Sequence, residues 1–287
     1  MHDNITRRQF LQTTGALALA PLLVNAAAAP RKFKLGLVTY NVAASWDLAT
    51  IIENCRQAGI EGVEFRTTHK HGVEPTLTAD QRRDVKKRCA DGGLIIWGLG
   101  TACEFHAADP AVVQKNIATC GEFVKLAADI GARGVKVRPN GLIKGVPEEQ
   151  TLAQIGHALT ECGKIAADHG IEIWLEVHGK DTQEPARIRK IMYVCTHPAV
   201  GANWNSNGTD VNDGSVRWAF DLLKDRLRSC HINDLDSKYP YRELFTLFRE
   251  HGYDRFTMCE YGKSIPAADG AAFLKKYRER WLELAGA

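Results

Sequence analysis

The chain has 287 residues, 45% of them hydrophobic, so it can bury the core of one α/β barrel or of two small domains. It carries 37 lysines and arginines against 34 acidic residues, a net charge of +3. Its basic residues form no block beyond a short stretch at 82–88, whose spacing is typical of one solvated helix face. This pattern argues against a nucleic-acid partner.

Residues 6–11 (Thr-Arg-Arg-Gln-Phe-Leu) resemble the twin-arginine export motif, and an apolar run at 16–24 and four alanines at 26–29 follow them. The apolar run is shorter than the roughly 20 residues of a membrane span. We interpret 1–28 as an export signal that is removed and 29–287 as the mature domain, and we predict a periplasmic protein that uses the twin-arginine export machinery. An uncleaved anchor is the alternative interpretation.

From residue 33 onward, eight apolar segments with strand character alternate with segments of helical spacing. Pro110 suits the first turn of a helix, and Gly131 suits the end of the same helix. The predicted strands cover 33–41, 62–66, 94–99, 134–138, 171–179, 200–206, 227–234 and 256–262. The predicted helices cover 46–58, 78–91, 110–130, 148–169, 184–195, 216–223, 241–251 and 267–284.

The alternation of strands and helices predicts parallel strands joined by right-handed crossovers. Eight such units favour a closed barrel over an open doubly wound sheet, because neither GxGxxG nor GxxxxGK[ST] follows the first strand. We therefore predict one α/β domain with the (β/α)8 TIM barrel fold.

Residues of the kinds that bind metal ions stand at the ends of the last four predicted strands. Strand five ends in Glu176 and His178, which are two residues apart and are therefore expected on one face. Asn205, His231 and Glu260 have the same place on strands six, seven and eight. The C-terminal ends of parallel strands meet at one mouth of a barrel, so the sequence predicts a single metal site there.

With these motifs the chain resembles the xylose-isomerase-like barrel superfamily of sugar isomerases and epimerases, in particular exported members of the sugar phosphate isomerase/epimerase family. The resemblance spans the mature chain. It rests on the E-x-H end of strand five, GxxxN in strand six where GxxxD is usual, His-x-Asn-Asp in strand seven and the single glutamate of strand eight. It implies a divalent cation held by Glu176, Asn205, His231 and Glu260. Mn²⁺ is the expected ion, with Mg²⁺, Co²⁺ and Zn²⁺ as alternatives.

Asn205 departs from the family pattern, because a neutral carbonyl stands where a carboxylate is usual. A neutral ligand weakens the hold on the cation but leaves the cation more Lewis-acidic. Either His178 completes the set of ligands, or the site is less occupied than is usual in the family.

The resemblance also implies a reaction. The cation would chelate a hydroxyl and the neighbouring carbonyl of a sugar and so acidify the adjacent C–H. Glu176 and Glu260 would be the acid–base pair that removes and returns the proton through an enediolate, which gives isomerisation or epimerisation. His178 would orient the substrate or shuttle protons.

Further substrate contacts are expected from the loops that follow the strands. For the histidines among the candidates, solvent exposure is the competing interpretation. The candidates are His69, Glu104, His106 and Lys180, together with Trp46, which is placed to stack on a sugar ring.

Glu64 in strand two has two interpretations: a substrate contact, or a buried acid bonded to Lys136 or Arg138. No arginine or glycine-rich loop clearly marks a phosphate pocket, which favours an unphosphorylated carbohydrate as the substrate.

Two other functions stay open. A lyase that acts on 3-keto-glycosides would use the same enolisation, and a non-catalytic sugar-binding barrel would have lost its cation at Asn205. The DNA-repair endonuclease branch of the superfamily is rejected, because the sequence has neither a histidine-rich cluster for several zinc ions nor a basic surface for DNA. The oligomeric state is open, and a homo-oligomer is allowed.

Overall fold

The computed structural model describes residues 30–286, which form a closed barrel of eight parallel strands surrounded by eight α-helices. The strands are β1 (Lys34–Val38), β2 (Gly62–Arg66), β3 (Ile95–Glu104), β4 (Gly134–Arg138), β5 (Glu172–Glu176), β6 (Val200–Asn205), β7 (Leu227–Ile232) and β8 (Phe256–Cys259). The helices are α1 (Leu48–Ala58), α2 (Ala79–Asp91), α3 (Pro110–Ile130), α4 (Glu148–Asp168), α5 (Pro185–Val194), α6 (Arg217–Leu223), α7 (Tyr241–His251) and α8 (Gly270–Ala285). The predicted (β/α)8 fold is confirmed.

The barrel closes where β1 pairs with β8, with Lys34 opposite Phe256. Every pair of neighbouring strands is parallel, so all eight C-terminal ends lie at one mouth. β5 and β8 end earlier than predicted, and His178 and Glu260 therefore lie in the loops just beyond their strands.

Local sequence signals set the ends of the helices that carry the chain back to each strand. Thr78 begins α2 with a capping box that it shares with Gln81. Gly131 and Gly252 end α3 and α7 with φ values of 79° and 74°, which a residue with a side chain rarely adopts. These tight ends allow short connections from helix to strand.

Large side chains fill the N-terminal half of the barrel interior. Trp97 and Trp174 stack there, with ring centroids 5.1 Å apart, and Met258 is fully buried in the same cluster. Gly98 and Gly134 make room for the indole of Trp174, because a Cβ at these positions would lie 2.5 and 2.3 Å from it. The predicted metal ligands lie beyond this packed cluster, towards the C-terminal mouth.

Among the described residues, no helix combines the length and the apolar character that crossing a membrane requires. The predicted export signal at 1–28 lies outside the described residues, so it stays a prediction.

Candidate active site

A cavity of ≈ 260 Å³ opens at the C-terminal mouth of the barrel. A larger groove of ≈ 590 Å³ lies on the outer surface between α3 and α4, away from the strand ends. Side chains from the ends of β2, β4, β5 and β6 and from the loops that follow β1, β5, β6, β7 and β8 line the cavity at the mouth: Tyr40, Arg66, Lys136, Arg138, Glu176, His178, Gln183, Asn205, Asn207, Asn233 and Glu260.

Two glutamates and a histidine meet at the base of this cavity. His231 Nδ1 lies 3.3 Å from Glu176 Oε1 and 3.4 Å from Glu260 Oε2. One potential ligand atom from each of the three residues lies within 4.8 Å of the other two. Sequence reasoning predicted all three as metal ligands, and the barrel brings them together.

Asn205 adjoins this triad from β6. Its Nδ2 donates to Glu176 Oε1 at 3.3 Å, and its buried Oδ1 has no hydrogen-bond partner among the described residues. Two carboxylates, an imidazole nitrogen and an amide oxygen are ligands that Mn²⁺, Mg²⁺ and Zn²⁺ accept. The residues present therefore fit a divalent cation.

Glu64 lies on the far side of His231, and both side chains are fully buried. Glu64 Oε2 is 3.1 Å from His231 Nε2, so Glu64 is bonded to the triad histidine and not to Lys136 or Arg138. A carboxylate in this place keeps the proton on Nε2 and leaves the lone pair of Nδ1 for a metal ion. Sequence reasoning placed Glu64 inside the barrel but missed this partner.

Lys136 is a second residue whose place the sequence did not reveal. Its Nζ donates to Glu176 Oε2 at 2.7 Å inside the barrel. Burial opposes the ionisation of Glu176, but Lys136 and His231 outweigh it and hold the pKa of this carboxyl well below its usual value. Burial likewise disfavours the imidazolium of His231, but Glu64 and Glu260 outweigh it and raise the pKa of His231 well above its usual value. In the protein alone, the groups that would bind a cation thus neutralise one another.

A chain of hydrogen bonds orients His178 on the cavity wall. His178 Nδ1 lies 2.9 Å from Asn140 Oδ1, and Asn140 Nδ2 donates to Glu104 Oε1 at 2.7 Å. Arg138 donates to the same carboxylate oxygen. Glu104, predicted as a substrate contact, therefore holds Asn140 and Arg138 in place and does not itself line the cavity.

The other predicted substrate contacts lie away from the cavity surface. His69 is half-buried behind Tyr40, with ring centroids 6.2 Å apart, and His106 Nδ1 is 4.0 Å from Glu104 Oε2. Lys180 is exposed on the loop that follows β5 and does not line the cavity.

The prediction that Trp46 stacks on a sugar ring is wrong, because its side chain is fully buried. The indole N–H donates to the backbone oxygen of Ile265 at 2.8 Å, and the ring packs against Gly270 at the start of α8. Trp46 is a packing residue that ties the loop before α1 to the end of the chain.

Alternation along β2 and β4 explains why basic side chains of these two strands line the cavity. Lys136 and Arg138 are two residues apart on β4, as Glu64 and Arg66 are on β2. Residues spaced by two share a face of a strand. Once Glu64 is placed inside the barrel, the same spacing places Arg66 at the mouth.

Comparison with known proteins agrees with this architecture. The family model described as xylose isomerase-like TIM barrel matches residues 52–277. No curated protein matches the chain.

Several solved structures resemble the chain. The 3-keto-D-glucoside 4-epimerase from E. coli, in its apo form, has a TM-score of 0.71 and 16% identity, over 89% of this chain and 100% of that one. The D-psicose 3-epimerase from Clostridium cellulolyticum H10, with D-tagatose, has a TM-score of 0.70 and 14% identity, over 88% and 96% of the two chains. The IOLI protein with a bound zinc atom has a TM-score of 0.74 and 15% identity, over 88% and 98%.

At these identities, the likeness to solved structures establishes the shared fold. The family model covers most of the chain, from α1 to α8, and includes every residue of the triad. The chain therefore belongs to the xylose isomerase-like TIM barrel family.

Proposed function

We propose that this protein is a divalent-metal-dependent isomerase or epimerase of a sugar or keto-sugar, and that it acts by abstracting a proton next to a carbonyl. The observation that carries the proposal is the convergence of Glu176, His231 and Glu260 at the base of the cavity. Enzymes that enolise a sugar need a carboxylate base beside the reacting carbon and a positive charge near the developing oxyanion.

Glu176, His231 and Glu260 would hold the cation, with Asn205 as the fourth ligand; Mn²⁺ is the ion we propose. When bound, the ion supplies Lewis acidity that polarises the substrate carbonyl and acidifies the neighbouring C–H. Asn205 Oδ1, which is buried without a hydrogen-bond partner among the described residues, supports this assignment.

Glu176 and Glu260 are the proposed acid–base pair. Glu176 ends β5 and Glu260 follows β8, and the side chain of Glu260 is 13% exposed while that of Glu176 is 3% exposed. A carboxylate takes the proton from the substrate carbon and leaves an enediolate. Return of the proton to the opposite face of that carbon gives epimerisation, and return to the neighbouring carbon gives isomerisation.

His178 is the proposed orienting group. Its pKa is lowered by burial, which outweighs the attraction of Glu176, so the ring is neutral near pH 7 and can donate or accept a hydrogen bond from a hydroxyl. The bond to Asn140 holds the ring in place.

The size of the cavity supports a small carbohydrate. Its ≈ 260 Å³ lies just below the range for small-molecule sites, roughly 300–1,000 Å³, so it suits a small ligand. The structural neighbours that are sugar epimerases support the same class of substrate. A 3-keto-glycoside would place its aglycone outside the cavity, so the lyase is tested together with the isomerase below.

Incubation of the Mn²⁺-loaded protein with ketohexoses in D₂O tests the proposal. We expect deuterium at a carbon next to the carbonyl, seen by NMR, and loss of this exchange in Glu260→Gln. Release of the aglycone from a 3-keto-glucoside, without exchange into free ketoses, would favour the lyase. Sugar binding without exchange or release would favour the non-catalytic barrel and refute the proposed reaction.

We also propose that residues 1–28 direct the protein to the periplasm by the twin-arginine route. The Arg7–Arg8 pair, the apolar run and the alanines at 26–29 support this.

A further inference from the structure

Two arginines stand side by side at the mouth of the cavity. Arg66 is the last residue of β2 and Arg138 the last residue of β4, so they flank β3, and both line the cavity. The proposed reaction at Glu176 and Glu260 assigns neither of them a role.

The cations of the cavity differ in how they are neutralised. Lys136 is paired with Glu176, and Arg138 with Glu104. Among the described residues, no carboxylate lies within salt-bridge distance of the Arg66 guanidinium. Its protein contacts are a hydrogen bond from Nη1 to the backbone oxygen of Thr67 at 3.2 Å and the ring of Tyr40, whose centroid is 5.9 Å away.

The surroundings of Arg66 disfavour an isolated cation. Burial lowers the pKa of Arg66, and the charge of Arg138 lowers it further, while Glu176 and Glu64 oppose this from a longer distance. A half-buried guanidinium beside a second guanidinium is stabilised when an anion joins them. The planar fork of arginine binds a carboxylate through two parallel hydrogen bonds.

We propose that the substrate carries a carboxylate, which Arg66 binds in the cavity while Arg138 contributes its charge: the substrate is a keto-sugar acid and not a neutral keto-sugar. This inference deepens the proposed function and rests on it for the keto-sugar part of the ligand. One guanidinium without an acidic partner matches the single charge of a carboxylate better than the charge of about −1.5 to −2 of a phosphate group. The carboxylate end of the substrate would lie at β2, and the carbon to be deprotonated at Glu176 and Glu260.

Calorimetric titration of the Mn²⁺-loaded protein with three matched ligands tests the inference: D-fructose, D-fructuronate and D-fructose 6-phosphate. We expect the keto acid to bind about tenfold more tightly than D-fructose, as a charge-assisted bidentate contact implies. In Arg66→Met this preference should vanish, and Arg66→Lys should recover part of it. Arg83→Met, at an exposed arginine of α2, is the matched control and should keep the full preference.

The remaining outcomes decide against the inference. Equal affinity of the wild type for D-fructose and D-fructuronate overturns it, as does an equal weakening of both ligands by Arg66→Met. Tighter binding of D-fructose 6-phosphate than of the keto acid also overturns it and points to a phosphate ligand. Thermal unfolding of each variant shows that the fold is intact.

A binding measurement does not need turnover, so it tests this inference separately from the proposed function. An Arg66-dependent preference for the keto acid in a protein that catalyses no deuterium exchange would refute the reaction and keep the anionic ligand. Exchange into neutral ketoses with no preference for the keto acid would keep the reaction and refute the anionic ligand.

Discussion

The Nζ atom of Lys136 lies 2.7 Å from Oε2 of Glu176, and the two side chains are 4% and 3% exposed. Glu176 thus offers one oxygen, Oε2, to an ammonium and the other, Oε1, to His231 and Asn205. Lys136 offsets one of the two negative charges that Glu176 and Glu260 bring to the site. The neutral amide of Asn205 adds none. This relationship leads to the first two predictions.

Replacing Lys136 with methionine should raise the affinity for Mn²⁺ by about tenfold or more, because it removes a positive charge a few ångströms from the proposed ion. The metal-free variant should unfold at a lower temperature than the wild type, since the buried Glu176 then lacks its ammonium partner, and Mn²⁺ should restore the loss. Calorimetric Mn²⁺ titration and thermal unfolding measure both effects. Lys164→Met, at an exposed lysine of α4, is the control; an unchanged Mn²⁺ affinity in Lys136→Met would contradict the prediction.

Changing Asn205 to aspartate should tighten Mn²⁺ binding by about tenfold to a hundredfold, because a carboxylate replaces a neutral carbonyl. The metal-free variant should be less stable, since Asn205 Nδ2 no longer donates to Glu176 and two acids then face each other. Mn²⁺ affinity and metal-free thermal stability, compared with those of Asn212→Asp at an exposed position, check the two effects. Weaker Mn²⁺ binding in Asn205→Asp would show that the amide oxygen is not at the ion.

Glu64→Gln should lower the affinity for Mn²⁺ by roughly tenfold to a hundredfold, although Glu64 is not a proposed ligand. The carboxylate receives the Nε2 proton of His231 at 3.1 Å, and a glutamine can present its amide group there instead and favour the wrong tautomer. NMR of the imidazole nitrogens, together with Mn²⁺ titration, measures the tautomer and the affinity. Glu61→Gln, at a half-exposed residue before β2, should behave like the wild type; if Glu64→Gln does so too, the role of Glu64 is refuted.

Stability should fall as the pH rises towards neutrality because of Asp210. Burial raises the pKa of Asp210 to about 7 in spite of hydrogen bonds from the Asn207 backbone N–H and the Tyr239 hydroxyl. The folded protein therefore holds this proton more tightly than the unfolded chain does. The contribution of this proton to the free energy of unfolding is complete below about pH 4. It is lost as the pH rises through about 7, at no more than about 1.4 kcal/mol per pH unit.

Urea unfolding at pH 5 and pH 8 measures this effect. Between these values the wild type should lose about 1–3 kcal/mol more of its free energy of unfolding than Asp210→Asn, which has no proton to release at this position. The same pH dependence in both proteins would show that Asp210 is ionised in the folded state already at pH 5.

The proposed export signal makes a separate prediction. Arg7→Lys combined with Arg8→Lys should leave the full-length precursor in the cytoplasm, because the twin-arginine machinery reads this pair. Cell fractionation and mass spectrometry of the N-terminus locate and identify the two forms. Export of the double variant at the wild-type level would reject the twin-arginine route.

Much of this protein could be predicted from local pattern. Apolar strands of about five residues that alternate with longer amphipathic helices have one economical solution, the closed parallel barrel, because each strand must bury both faces. The same pattern places Glu176, Asn205, His231 and Glu260 at strand ends of one mouth, and the structure brings these four side chains together.

The loop residues were harder to predict. A place after a strand predicts a substrate contact for Trp46, His69, His106 and Lys180, but the path of a loop depends on what it packs against. Trp46 turns inward because the backbone oxygen of Ile265, more than 200 residues away along the chain, accepts its indole proton.

The sequence by itself determined the number and order of the strands, the mouth at which they end and the kinds of residue that stand there, because these depend on spacing along the chain. The tertiary structure alone decided which groups touch. Glu64 meets His231 across 167 positions of sequence, Lys136 meets Glu176 across 40, and within residues 30–286 Arg66 has no acidic partner. Such pairings depend on the register and curvature of the closed sheet, where a shift of one residue would turn each side chain away from its partner.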